Sequence, residues 1–492
     1  MKLCECEPAG SEIVAEKGLR WGLPGGGYWA GSWQTDRRSL AVTDPTDGSL
    51  ILYVTDATDD DVREAITGVK DALSIPWELW KRREALQRAS ELVREESGKL
   101  AQIIASEGSK TLTEASGEVA RCAETLRLSS VASGNLEGQT LPFEDSTRGS
   151  GRIGWNRREP VGVIAAITPF NDPLNLVAHK VGPALIGGNG VVLKPAQVTP
   201  LSALALTDIL VRSGVPAGRI ATIIGSGSIG SALVSDPRVD LISFTGGPAT
   251  ADKIARSAGA RKMLMELGGN NATIVCEDAD VIRAAAEIVA GAFGVAGQNC
   301  LSVQRVFVHR SVYEELRELV VSGTKQLKIG CKMEPSTNIG PMITETEAKR
   351  VEAWIEEARQ RGATIECGGM RHGNFYEPTV VTGAQQDDRI VADEIFGPVV
   401  SLFPFDDISD AIAQTESTDF ALQAGVFTKS IAAGFEIASQ LHVGSVLINE
   451  TSDFRIDAMP FGGFKRSGIG REGIASAVEA MTEPKNFIVN TG

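Results

Sequence analysis

From Val161 to Cys276 the chain alternates short apolar, β-branched runs with helical stretches, and Gly or Pro punctuates each change. The runs are Val161–Ile167, Val191–Leu193, Ile220–Ile224, Leu241–Phe244 and Thr273–Cys276. Short apolar strands separated by helices cannot pair as hairpins, so the spacing predicts an α/β fold with a doubly wound parallel sheet. Between the second and third runs the punctuation is that of a helix: Thr199 as N-cap, Pro200 at the first helical position and Gly214 just past the end. Gly225-Ser-Gly227-Ser-Ile-Gly230 follows the third run. Its glycines suit either a tight structural turn or the approach of backbone amides to a pyrophosphate.

A second α/β alternation begins near Asp280 and runs through a strand at Arg305–His309, a helix opening at Ser311 with a Ser-x-x-Glu box ending at Glu314, and strands near Val380 and Val399. With 492 residues the chain exceeds one compact core and is expected to form two or three domains. Upstream, Asp59 to Gly134 is helical in spacing, with Val62, Ala65, Ile66 and Val69 on one face. Residues 1–40 are rich in Gly and Trp and read as an extended surface arm. The stretch from Gly138 to Arg158 is polar and broken by Gly149, Gly151 and Gly154, which fits a linker or a protruding hairpin.

A formal charge of −15 argues against nucleic acid or an anionic membrane surface as partner, because both attract positive charge. Seven scattered cysteines disfavour a disulfide framework, and with only four histidines no metal site is indicated. There is no leader-like start and no run long enough to span a bilayer, so a soluble, cytoplasmic protein is expected.

Three residues invite chemistry. Cys300 follows Gly297-Gln-Asn in a polar, flexible setting, unlike Cys276, which ends an apolar run. A lone cysteine is commonly an inert core residue, but this setting suits a thiolate stabilised by backbone amides or a helix N-terminus. Glu266 leaves a carboxylate at the end of a short apolar strand, for a salt bridge or for catalysis. Asn171, in Thr168-Pro-Phe-Asn-Asp-Pro173, lies just past a buried strand, where ligand-facing loops of open sheets are found and where a plain turn would also fit.

Together these segments resemble the aldehyde dehydrogenase superfamily from about Thr43 to Asn490. The matching motifs, in order, are Asp44-Pro-Thr-Asp-Gly48, Glu159-Pro-Val-Gly162, Thr168-Pro-Phe-Asn171, Lys194-Pro-Ala196, Phe244-Thr-Gly-Gly247, Glu266-Leu-Gly-Gly269, Gly297-Gln-Asn-Cys300, Glu394-Ile-Phe-Gly-Pro398 and Pro460-Phe-Gly-Gly463. The resemblance implies a cofactor domain over 1–137 and 155–267, a catalytic domain over 268–475, and oligomerisation strands over 138–154 and 476–492 that form a small β arm in a homodimer or homotetramer.

The resemblance also assigns roles. Cys300 would be the nucleophile, Asn171 an oxyanion donor and Glu266 the base that activates water against a thioester. For the cofactor, NAD with NADP also possible, it points to Thr168, Pro169, Lys194, Ala196, Gln197, Gly227, Phe244, Thr245, Gly246, Leu267, Glu394 and Phe396. Gln197 departs from the glutamate common in NAD-preferring members.

Arg121, His179 and Arg455 fall where the superfamily lines its substrate entrance, and Asn299 stands directly before the cysteine, where a phosphonate-oxidising relative carries another Arg. With the stretches Phe170–Lys180 and Asn449–Phe461 they resemble the branch acting on phosphonoaldehydes, sulfoacetaldehyde and related small anions, so the expected substrate is a small anionic aldehyde such as phosphonoacetaldehyde or phosphonoformaldehyde, with lactaldehyde, succinic semialdehyde or another small aldehyde as alternatives. A coenzyme A-acylating dehydrogenase and a catalytically silent protein on the same fold are the competing readings. The retained Glu266 speaks against the first, and the intact Cys300, Glu266 and Asn171 against the second.

Overall fold

A computed structural model describes residues 21–492. Its core is two open twisted sheets, each flanked by helices. The first has five parallel strands in the order Ile220–Thr222, Gly190–Lys194, Val163–Ile167, Leu241–Thr245 and Lys262–Glu266. Gly27–Trp29 and Gly468–Ile469 close its two edges as antiparallel strands, and Ser32–Gln34 pairs outside the former. Residues of the central strands are almost wholly buried, as expected of parallel strands covered on both faces.

The sequence places four of its five runs in this sheet correctly. The fifth, Thr273–Cys276, belongs to the second sheet as Asn271–Val275, between Val303–His309 and Gln423–Phe427. Only four residues separate Glu266 from Asn271, too few for the crossover that a parallel neighbour in the same sheet requires. The chain instead passes through Leu267–Asn270 from one sheet to the other, and the site lies along that passage.

Helices Asp59–Ala72, Leu79–Glu95, Ser97–Glu107 and Leu112–Val131 follow the expected periodicity, and Val62, Ala65, Ile66 and Val69 are all buried. Two caps differ from expectation. Helix Leu201–Arg212 is capped by Glu107, whose carboxylate accepts from the Leu201 and Ser202 N–H groups at 2.6 and 2.8 Å, while the Thr199 hydroxyl has no partner among the described residues. Helix Arg310–Gln326 starts one residue early: His309 accepts the Ser311 N–H, and the Ser311–Glu314 box lies inside the helix. The expected surface arm is also corrected over residues 21–34, because Tyr28 and Trp29 are buried and pair into the first sheet; the rest of that reading, and Cys4 and Cys6, lie outside the described residues.

The polar stretch forms half of a separate ribbon: Arg152–Pro160 pairs antiparallel with Thr482–Asn490 over nine positions, with Trp155 stacked on Phe487. This strand runs past residue 154 by six positions. No described helix is long and apolar enough to cross a membrane, and no described group of His, Cys, Asp and Glu is placed to hold a metal.

Candidate active site

Cys300 is held by a strained turn. Helix Val281–Phe293 stops at Gly294, after which Val295 and Ala296 adopt left-handed φ angles of 53° and 52°. Such angles cost a non-glycine residue roughly 1–3 kcal/mol and persist only where the surroundings fix them. Here the Val295 N–H donates to Glu114 at 2.7 Å, and Gln298 donates to the Val295 carbonyl at 3.0 Å while accepting from the Ile343 N–H at 2.9 Å. Gly297, at φ 67°, lies so near the Gly397 carbonyl that a Cβ would collide with it. Downstream, Asn271 Nδ2 donates to the Cys300 carbonyl at 2.7 Å and the Ser452 hydroxyl to that of Leu301 at 2.9 Å.

Cys300 and Asn171 line one cavity of about 720 Å³, together with Arg121, Asn299 and Arg455. Among the described residues neither the Asn171 amide nor the Cys300 backbone N–H has a hydrogen-bond partner, so both donors are unspent. The thiol differs from expectation. Cys300 follows the C-terminal end of a helix rather than a helix N-terminus, and burial, with the carboxyls of Glu266 and Glu394 nearby, pushes its pKa well above the ordinary value, Arg455 opposing. Burial and these carboxyls therefore favour the thiol over the thiolate.

Glu266 ends the strand Lys262–Glu266, is 2% exposed, and has an Oε1 with no described partner. Burial, reinforced by Glu472, raises its pKa well above the carboxylate range. Glu472 itself stays ionised: against the effect of burial, Lys180 at 2.9 Å and Arg455 at 3.4 Å draw its carboxyl down to about 2. Lys180 and Arg455 thus pair with Glu472, and Glu266 beside it is biased toward its protonated form.

The four expected substrate residues divide. Arg121 projects from helix Leu112–Val131, pairing with Asp172 at 3.3 Å and Asp457 at 3.0 Å, and Arg455 stacks over Phe461 at 3.8 Å. The Nε–H of each guanidinium is buried and unpartnered among the described residues. Asn299 lines the cavity but spends its amide on Asp453 at 2.7 Å. His179 does not line it: the ring is fully buried against Asp457 at 2.9 Å, and burial, with Arg455 nearby, lowers its pKa.

Sequence reasoning passed over the acidic partners Asp172, Asp453, Asp457 and Glu472. The signal for the middle pair was available, since Asp453 and Asp457 flank Arg455 at two residues on either side. The cavity wall as a whole carries Lys110, Arg121 and Arg455 against Glu114, Glu118, Asp172, Glu287, Glu450 and Asp453, so its cations lie in an acidic rim.

The expected cofactor residues gather at the carboxyl ends of the first sheet's parallel strands, the usual place for ligands in open α/β sheets. Thr168 and Pro169 follow Val163–Ile167, Lys194 ends Gly190–Lys194 with Ala196 just beyond, Phe244 and Thr245 end Leu241–Thr245 ahead of Gly246, and Gly227 opens helix Gly227–Ser235. Orphaned polar groups suit a polar ligand. The Thr168 hydroxyl is buried without a described partner, and burial lowers Lys194 to about 8, with only the Pro195 carbonyl at 3.3 Å beside it. Leu267 begins the passage between sheets, where Glu394 accepts the Gly269 N–H at 2.9 Å and is raised by burial to about 7. Phe396, at φ 41°, meets Phe170 edge-on at 5.8 Å. Two placements do not join this group: Thr245 donates its hydroxyl to Glu472 at 3.1 Å, and Gln197 lines a separate hollow with Asp44, Glu107 and Glu345.

Comparison with known proteins shows what the whole chain is similar to. The profile of the aldehyde dehydrogenase family matches residues 33–487. The 3-sulfolactaldehyde dehydrogenase of Priestia aryabhattai is 41% identical over 464 residues, covering 94% of this chain and 97% of the relative. Aldehyde dehydrogenase 21 from Physcomitrella patens, solved with the reaction product succinate, superposes with a TM-score of 0.92 at 34% identity, covering 95% of this chain and 99% of that one. The NADP-dependent glyceraldehyde-3-phosphate dehydrogenase from Bacillus halodurans C-125, solved with NADP, gives a TM-score of 0.92 at 34% identity, covering 95% of this chain and 100% of that one.

Proposed function

We infer, from the premise that the chain belongs to the aldehyde dehydrogenase family and oxidises an aldehyde with NAD(P), that it converts a short aldehyde bearing one acidic group into the free acid through a thioester on Cys300. The observation that carries the substrate class is that the Arg121 and Arg455 guanidinium groups belong to residues lining the Cys300 cavity. A guanidinium is always charged and offers a fork of donors that suits an anionic oxygen entering the cavity. The acidic rim repels a second negative charge. A sulfonate or carboxylate, with one charge, therefore suits the cavity better than a phosphonate, which carries up to two. The relatives named above act on a sulfonated aldehyde, hold a dicarboxylate product, or take a phosphorylated aldehyde by name, which supports the anionic class.

In the proposed mechanism the Cys300 thiol first loses its proton to water in the cavity, and the thiolate sulfur then attacks the carbonyl carbon. The oxyanion that forms lies between the Asn171 amide and the Cys300 N–H, and losing one such donor typically costs about 3 kcal/mol of barrier. The residues around Thr168 and Lys194 would hold NAD(P), which would supply the hydride acceptor. The thioester left on Cys300 is hydrolysed by a water that gives a proton to Glu266, and Glu266 returns that proton to the leaving sulfur as the acid is released. The separate ribbon and the sheet edge at Ser445–Ile448 would serve homo-oligomerisation by sheet extension.

The test is NADH and NADPH formation with phosphonoacetaldehyde, phosphonoformaldehyde, sulfoacetaldehyde, sulfolactaldehyde, succinic semialdehyde, lactaldehyde and benzaldehyde. Arg455→Ala should raise KM for the monoanions about 10- to 100-fold, as expected for a hydrogen bond to a charged group worth ~1.5–3 kcal/mol. Equal kcat/KM for benzaldehyde and sulfolactaldehyde would dispose of the anionic substrate and leave the Cys300 chemistry standing.

A further inference from the structure

The two ends of the Asn299 amide keep different company. Nδ2 donates to Asp453 Oδ1 at 2.7 Å, while Oδ1 accepts the Leu301 N–H at 3.2 Å and faces the Cys300 thiol at 3.8 Å. An ionised carboxylate only accepts and the Leu301 N–H only donates, so Asp453 and Leu301 together fix which end of the amide turns toward the carboxylate. The sulfur is left facing a carbonyl oxygen. That partner suits S–H and disfavours thiolate, whereas the amide turned over would present N–H to the sulfur and favour the thiolate.

Asp453 is built into place. It sits on the loop after strand Ser445–Ile448, and Gly291 of helix Val281–Phe293 makes room for it: a Cβ there would lie 3.2 Å from the Asp453 Cβ. Arg121 and Glu114 face Asp453 from helix Leu112–Val131, and Glu450 from its own loop; Glu266, Glu394, Glu472 and Arg455 face Cys300. Burial raises Asp453 to about 6, with Arg121 and the Asn299 amide opposing, so it is chiefly a carboxylate at neutral pH.

We propose that Asp453 is a positioning residue which, through the Asn299 amide, holds the Cys300 thiol protonated at rest. A thiol kept out of its thiolate form is slower to oxidise or to meet an adventitious electrophile. The inference rests on Cys300 being the nucleophile, as read above.

The measurement is the rate of Cys300 alkylation by iodoacetamide in the full chain, read by peptide mass across a range of pH. Asp453→Asn supplies a side chain that can donate to the Asn299 carbonyl, so of the two contacts that fix the amide only the Leu301 N–H remains and the turned amide becomes less costly. The apparent thiol pKa is expected to fall by about one unit, making alkylation at neutral pH about tenfold faster. Asn299→Ala, which removes the carbonyl from the sulfur, should also accelerate alkylation. Adding Asp453→Asn to Asn299→Ala should then change little.

An unchanged rate in Asn299→Ala overturns the inference even where Asp453→Asn does not fold. So does an Asp453→Asn acceleration that is equally large in the Asn299→Ala background, since that is a charge acting through space. Because no aldehyde is needed, the two readings fail separately: turnover surviving Cys300→Ala would remove the nucleophile, whereas unchanged alkylation removes only the role of Asp453.

Discussion

The Asn271 side chain ties the nucleophile's loop to the second sheet: its Nδ2 donates to the Cys300 carbonyl at 2.7 Å and to that of Ser302 at 3.1 Å, while its Oδ1 accepts the Gln423 N–H at 3.2 Å. One amide, five residues beyond Glu266, thereby fixes the loop that carries the thiol. Asn271→Ala should lower stability by about 2–3 kcal/mol, because it strands buried backbone groups. It should also cost about 100-fold in kcat through misplacement of the sulfur. Urea unfolding and steady-state turnover check both, and a kcat within twofold of the parent would show that the loop holds without it.

Glu266→Gln separates the two halves of the reaction. The first-turnover formation of NADH should persist, while steady turnover falls by about 100- to 10,000-fold, the range for loss of a general base. Rapid-mixing kinetics distinguish this from equal loss of both phases, which would contradict a role in deacylation alone.

The pH dependence has a definite sign. Glu266 must be unprotonated to accept a proton from water, and its pKa is raised by burial and by Glu472, so steady turnover should climb with pH beyond the ordinary carboxylate range. The raised Cys300 thiol acts in the same direction on the first turnover. A kcat that is flat from mildly acidic to mildly alkaline pH would refute the assignment.

Adjacent glycines should respond differently. A Cβ on Gly268 would meet the Glu394 carboxylate, a side-chain end that can swing aside, whereas one on Gly269 would meet the Cys300 backbone carbonyl, which cannot. Gly268→Ala is expected to raise KM for the cofactor with the fold intact, and Gly269→Ala to abolish turnover. Similar kinetics for the two variants would count against the distinction.

Asp457 anchors Arg121 at 3.0 Å, His179 at 2.9 Å and Asn175 at 3.1 Å, and these partners hold its carboxyl far below the usual range in spite of burial. Because the folded pKa is depressed, its stabilisation is present above the unfolded pKa of about 4 and is lost as pH falls below it. Asp457→Asn should therefore be less stable than the parent at neutral pH, with the gap closing in acid. Urea midpoints at the two pH values measure it, and a gap independent of pH would assign the loss to packing.

What the sequence by itself determined is what depends on near neighbours. The apolar spacing of Val62, Ala65, Ile66 and Val69 became a buried helix face, and the β-branched runs became parallel strands, because each preference is set within a few residues. Cys300, Asn171 and Glu266 stood out as candidates for a related reason, since Glu266 ends a strand and the other two lie in loops that follow regular elements local pattern can place.

Partners far apart in the chain were decided only by packing. Glu107 caps a helix more than ninety residues away, displacing Thr199, and Asp457 draws His179 out of the cavity from 278 residues downstream. The Thr273–Cys276 run passed to the second sheet because the short segment after Glu266 cannot make a crossover. Helices and strands follow from the order of side chains along the chain. Which carboxylate meets which cation follows from how those elements are brought together, and that is where the state of Cys300, Glu266 and Asn299 is set.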